Sequence, residues 1–265
     1  MKISFLSLIF VYVLLPIISL PASSQLTEDA AIDEILQKYV DAQGGAELLS
    51  TITSLEIEAT MHLDSQGLRI STEQKIQSPD KVLTVQQFPG LGRIENRLNG
   101  SIGWEWHPIA GERPLDHTEV EEFLDDANFQ RDLQLRDEYL SIRLGDPEVI
   151  EGIETTHLIM TDDRGRDEHW YFKPNGELFQ KIHRVSSGPE SEFETTERYY
   201  DHETEDGFRF PRRIRYLNPA YEAELRIEDL YINRDIDPEL FSLPEYAEEM
   251  AKLVRPQDLS KTTVD

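Results

Sequence analysis

The run Leu55-Glu56-Ile57-Glu58-Ala59-Thr60-Met61-His62-Leu63 decides the fold. Apolar side chains at 55, 57, 59, 61 and 63 alternate with polar ones at 56, 58, 60 and 62, the period-two signature of a strand with one apolar and one wet face. The same pattern, weaker, recurs over 68–76, 81–88, 93–98, 102–106, 155–160, 169–172, 177–185, 193–200, 208–216 and 223–232. Asn99-Gly100 and Pro174-Asn175-Gly176 are hairpin turns, because an Asn-Gly pair accepts the positive φ that a tight loop demands; Gly67 and Gly207 mark weaker ones. Strands joined by short loops, with no alternating helices, predict an antiparallel meander of about eleven strands and argue against a doubly wound parallel sheet. A twisted sheet that wide is expected to curl.

Two helices interrupt the pattern, so the expected class is mainly β with α (α+β). The first is expected to be capped by Thr27, with Ile32, Ile35, Leu36, Tyr39 and Val40 at offsets that form one apolar stripe, and to end at Gly44-Gly45. The second is signalled by a capping box of Thr118 and Glu121 and carries Val120, Phe123 and Leu124 at helical spacing, reaching to about Tyr139. No composition shift divides the chain, and residues 25–244 are expected to form one domain. An acidic tail, 245–265, is expected to begin as a helix and then to be disordered.

Upstream, Lys2 precedes an apolar run from Ile3 to Leu20, followed by Pro21-Ala22-Ser23-Ser24-Gln25. This order reads as a secretory signal peptide, residues 1–24, cut before Gln25 or after Ala22. An uncleaved anchor is the rival, weakened by Pro16 and Pro21, which disturb a helix. After removal of the signal no stable membrane insertion is expected, and the expected location is the periplasm, with secretion as the alternative. The absence of cysteine rules out thiolate chemistry, thiol-held zinc and an amino-terminal lipoprotein anchor.

Asp and Glu number 52 against 26 Lys and Arg, a net charge of −26. Nucleic acid is excluded as a partner, since phosphate binding needs a basic stripe, and an anionic membrane surface is disfavoured for the same reason. Acidity of this kind keeps a monomer soluble.

The order of these pieces resembles the LolA/LolB-like superfamily of outer-membrane lipoprotein-sorting proteins and their relatives. The similar segments are Tyr39 to Gly45, Asn99 to Trp106 with Pro108, Val149 to Ile153, the hairpin Trp170 to Phe179, Phe210 to Ile214 and Leu240 to Pro244. None is a catalytic signature; their order carries the likeness, and together they touch most of the chain after residue 25. The resemblance implies a half-open barrel of about eleven antiparallel strands lidded by helices, and carriage of a lipid or an acylated protein. No position here matches the ligand-gripping arginine of the lipoprotein carriers.

Strand alternation assigns Ile57, Met61, Trp104, Trp106, Leu158, Met160, Trp170 and Phe172 to the apolar side as candidate ligand-cavity residues. Packed core is the competing explanation of each. Catalytic, cofactor and metal sites are expected to be absent. His117 and Glu121 stand four apart but lack the second histidine of a metalloprotease motif. Asp162, Asp163 and Asp167 do not have calcium-loop spacing and read as a solvated turn, as do His202, Glu203, Glu205 and Asp206. No nucleophile elbow, phosphate-cradling glycine loop or dinucleotide fingerprint occurs. An interaction module docking through a sheet edge or acidic face is the alternative; its one basic cluster, Arg212, Arg213 and Arg215, is expected to pair with acids across strands.

Overall fold

The structure, a computed structural model, describes residues 22–186 and 192–254. The signal-peptide segment lies outside these except for its last residues, and so does the end of the tail. The strands are β1 (Ser54–Leu63), β2 (Leu68–Gln77), β3 (Lys81–Phe88), β4 (Gly92–Asn99), β5 (Ile102–His107), β6 (Gly111–Pro114) and β7 (Ser141–Leu144). They continue as β8 (Glu148–Ile150), β9 (Ile153–Thr161), β10 (Asp167–Phe172), β11 (Leu178–Ser186), β12 (Glu192–Glu205), β13 (Phe208–Leu217) and β14 (Glu222–Ile232). The helices are α1 (Ala22–Ala42), α2 (Ala46–Leu49), α3 (His117–Ala127), α4 (Leu135–Glu138) and α5 (Ala247–Val254).

All the strands join one antiparallel sheet in the order β6-β5-β4-β3-β2-β1-β14-β13-β12-β11-β10-β9-β7, with β8 also on β9. The chain is thus mainly β with few helices, and it has fourteen strands rather than eleven. The additional ones, β6, β7 and β8, are three or four residues long, too short for alternation to show. The sheet is open: β6 and β7 at its two ends do not pair, which corrects the expected curl into a half-barrel. Packed helices occupy the space that such a curl would enclose.

Two meanders meet where β1 pairs with β14, from Leu55↔Ile232 to His62↔Glu224. Leaving the β6 edge, the chain must return to the opposite edge at β7, and residues 115–140 make that crossing over one face of the sheet. Leu115, Val120, Ala127, Leu135 and Tyr139 are buried along the way. Gly103 shows how close the crossing runs: a Cβ there would lie 2.7 Å from Leu115 Cδ1. The crossing helix begins differently from expectation. Its capping box is Asp116 and Glu119, which exchange side-chain-to-backbone bonds of 3.0 and 2.8 Å, and it ends at Asn128. Helix α1 starts at Ala22, ahead of the expected cap at Thr27, and ends where Gly45 N–H donates to Val40 C=O at 3.0 Å.

The helix face holds two cores. One combines Leu55, Ile76, Val82 and Leu98 of the first meander with Leu115, Val120 and Ala127 of the crossing. The other sets Ile32, Leu36 and Tyr39 of α1, with Leu135 and Tyr139, on Leu158, Met160, Trp170 and Phe172. Burying a side chain such as Phe172 contributes about 1.5–3 kcal/mol. On the opposite face, Phe241 and Ile236 cover Leu83, and Tyr246 packs its ring edge-on to Trp104 at 5.5 Å.

Candidate functional site

A cavity of about 340 Å³ lies between the two cores. Leu49, Ile52 and Leu55 close one side, Tyr39, Trp170 and Leu178 the other, and Phe208, Phe210 and Phe129 contribute aromatic walls. Its volume falls in the range of small-ligand pockets, and its walls are predominantly apolar, as such pockets require.

The elements around it are locked together by close backbone contacts. Arg209 N–H donates to Gln43 C=O at 3.0 Å, which ties the end of α1 to β13. At the Pro174-Asn175-Gly176 turn, a Cβ on Gly176 would sit 2.4 Å from the Lys38 carbonyl oxygen, so only glycine lets this hairpin meet α1. From the crossing segment, the Asp132 carboxylate accepts the Tyr39 hydroxyl at 2.9 Å.

Charged groups ring the apolar walls. Glu177 is buried; burial raises its pKa, but hydrogen bonds from Lys173 and Arg209 outweigh that and hold it at about 2. His202 sits beside it, with Nδ1 3.5 Å from the Glu177 carboxylate and no hydrogen-bond partner. Burial, the largest influence, brings the His202 pKa down to about 4 despite that carboxylate, so the ring is neutral near pH 7. Its place in the wall follows from Asp201, whose φ of 55° interrupts the alternation of β12. Asp201 turns to Arg213, while Tyr199 and His202 both line the cavity.

A second, polar cavity of about 590 Å³ adjoins the first and shares Asp125, Arg131 and Lys181 with it. The wall of this second cavity carries a hydrogen-bonded network. Glu168 accepts from Tyr139 Oη at 2.8 Å and Trp170 Nε1 at 2.9 Å, with Lys181 Nζ at 3.3 Å. Burial pushes its carboxyl up, but the Lys181 charge and those hydrogen bonds prevail and leave its pKa at about 2. Glu197 accepts from His183 at 2.9 Å and from the Tyr199 hydroxyl. Burial raises its pKa, yet the His183 contact dominates and lowers it. Tyr39 and Tyr199 are pushed well above the ordinary phenol range, chiefly by burial, so they act here as donors and not as bases.

The eight residues expected to share an apolar face do not share one. Register places Ile57, Met61, Leu158, Met160, Trp170 and Phe172 on the helix face; Trp170 lines the cavity, while Leu158, Met160 and Phe172 are fully buried core beneath α1. Ile57 is half-buried against the first core, and Met61 is half-buried opposite Ile70. Trp104 and Trp106 lie on the other face. The ladder Trp104↔Arg97↔Leu83↔Lys75↔Glu56 runs through the side of β1 that faces away from Ile57. Trp104 is buried and Trp106 exposed.

Glu168, Lys181 and Glu197 were legible in principle, because each falls in phase with buried residues of its strand, and a charge in such a position calls for a partner. Arg131, Asp132 and Phe129 gave no such signal, since nothing in the sequence says where the crossing segment lies. The basic cluster pairs with acids as expected: Arg212 with Glu203, Arg213 with Asp201 and Glu224, and Arg215 with Glu222. Asp162 accepts from the backbone N–H groups of Arg164 and Arg166, which makes the acidic 162–166 loop a hairpin turn. His117 Nε2 lies 3.1 Å from Glu121 on the exposed side of α3.

No family model and no curated protein matches the chain. Solved structures do, at low identity. A DUF1329-family protein from Desulfovibrio piger aligns with a TM-score of 0.55 at 12% identity, over 80% of this chain and 97% of its own. A LolA superfamily protein from Nitrosomonas europaea gives 0.52 at 15% identity, over 80% and 97%. A putative outer membrane lipoprotein-sorting protein domain from Vibrio parahaemolyticus gives 0.52 at 12%, over 78% and 94%. The chain therefore has the LolA-like fold. Among the described residues no helix is long and apolar enough to cross a membrane.

Proposed function

We propose that the protein is an exported, periplasmic, non-catalytic carrier of an apolar ligand, a lipid or the acyl chain of a lipoprotein, held between α1, the crossing segment and the sheet. The observation that carries this reading is the cavity between the two cores, walled by Leu55, Phe129, Trp170, Leu178, Phe208 and Phe210. Two packed cores that leave a gap of this size forgo contacts that a ligand restores. Each methylene transferred from water into it contributes about 0.8 kcal/mol, so affinity needs no charged contact. The sorting function named for the Vibrio parahaemolyticus domain is consistent with such a cavity.

Native mass spectrometry of protein purified without detergent tests the reading. The expected result is one equivalent of lipid or acylated peptide, or one equivalent of an added fluorescent fatty acid. An unchanged apo mass with every acyl probe overturns it. Docking through the β7–β8 edge, where Leu140, Leu144 and Val149 are exposed, would then be the better account.

A further inference from the structure

The apolar cavity does not end at a wall of packed side chains. Its boundary with the polar cavity consists of two ion pairs, Arg131 Nη1 with Asp125 at 3.3 Å and Lys181 Nζ with Glu168 at 3.3 Å. Both are longer than a tight charge-assisted bond of about 2.7–2.9 Å. Lys181 also stands over the Trp170 ring at 5.2 Å and Arg131 over the Tyr139 ring at 5.9 Å, so both cations sit where apolar and polar walls meet. The Arg131 Nε is buried with no hydrogen-bond partner, and it is Nη1 that meets Asp125.

The polar side is not a simple anion site. Eight carboxylates line it against five Arg and Lys side chains. Glu168 and Glu197 are charged near pH 7, and a ligand carrying only negative charge would be repelled by that majority. An uncharged head offers hydroxyl and ester oxygens but no charge to match either sign of this lining. The groups of both signs lie side by side, and a head with both signs matches them.

We infer that the two cavities together take one amphiphile, its acyl chain among Leu55, Trp170 and Phe210 and a zwitterionic head, an acidic phosphodiester with an ammonium group, in the polar cavity. Arg131 and Lys181 hold the phosphodiester oxygens at the boundary. The ammonium group faces the carboxylates beyond, among which Glu138 and Asp163 line the same space. This rests on the carrier reading above and adds the chemistry of the head.

Displacement of a bound fluorescent fatty acid by three single-chain competitors of equal chain length tests it: lysophosphatidylethanolamine, lysophosphatidylglycerol and monoacylglycerol. The expected result is at least tenfold tighter competition by the zwitterion than by either of the others. In Arg131→Gln that preference is expected to fall below threefold, and Lys181→Gln provides the same readout if the first variant does not fold. Equal competition by all three leaves the carrier standing and overturns the head-group assignment, as does a preference that survives both substitutions. Failure of the probe and of all three competitors to bind overturns both.

Discussion

The hydroxyl of Tyr39 donates to the carboxylate of Asp132 at 2.9 Å, joining α1 to the segment that crosses the sheet. Both residues line the apolar cavity, so this hydrogen bond lies in its wall. Tyr39→Phe keeps the ring contacts with Trp170 and Phe172 at 5.9 and 5.4 Å and removes only this bond. The expected cost is about 1.5–3 kcal/mol for a bond to a charged acceptor, with faster amide exchange over residues 128–134 and a severalfold faster release of an acyl probe. Unchanged exchange in that segment would show that the bond does not hold it down.

Gly103, in β5, lets Leu115 of the crossing chain lie close over the sheet. Gly103→Ala is expected to destabilise by about 1–3 kcal/mol through overpacking. Adding Leu115→Ala should recover only part of that loss, because it removes Cδ1 and Cγ but leaves Cβ, which the new methyl would meet at 2.8 Å. Urea unfolding of the two single variants and the double variant measures the coupling directly.

Stability should decline in acid in two stages. His202 titrates at about 4 in the fold against an ordinary 6.5, so between those values the unfolded chain binds the proton and the folded protein does not. Its contribution is highest above pH 6.5 and falls by up to about 1.4 kcal/mol per pH unit on the way down to 4. Glu168 and Glu177 are depressed from 4.5 to about 2, so what they contribute is present above pH 4.5 and is lost as pH falls through 2. Denaturant unfolding at pH 7, 4 and 2 should show both slopes, and His202→Gln should flatten chiefly the one between pH 7 and 4.

The three tryptophans should report ligand unequally. Trp170 lines the cavity, Trp104 is buried under Tyr246 on the other face, and Trp106 is exposed. Addition of a fatty acid is expected to change intrinsic fluorescence in Trp104→Phe and Trp106→Phe but not in Trp170→Phe. A response that persists without Trp170 would place the ligand elsewhere.

Phe172, the last residue of β10, is fully buried against α1. Phe172→Ala is expected to cost about 3–5 kcal/mol, lowering the thermal midpoint strongly. The same experiment separates core from cavity wall, since a wall residue such as Leu178 should cost less when truncated.

Alternation along single strands was enough to determine that this chain is an antiparallel β protein, where eleven of its strands lie, and that Asn99-Gly100 and the 174–176 turn join them. Those are local properties, set by the two-residue repeat of side-chain direction and by the φ a turn demands. The apolar stripe from Ile32 to Val40 was equally legible, because helix periodicity is local too. Which face a given strand turns to the helices is not local. Trp104 and Trp170 both alternate as buried residues, yet the register through β4, β3, β2 and β1 sends Trp104 to the opposite face. The path of residues 115–140 from one edge to the other was likewise set only by packing, by the absence of a side chain on Gly103 and by the capping bonds of Asp116 and Glu119. The cavity lies where that path leaves two cores unjoined, and so it exists only in the tertiary structure.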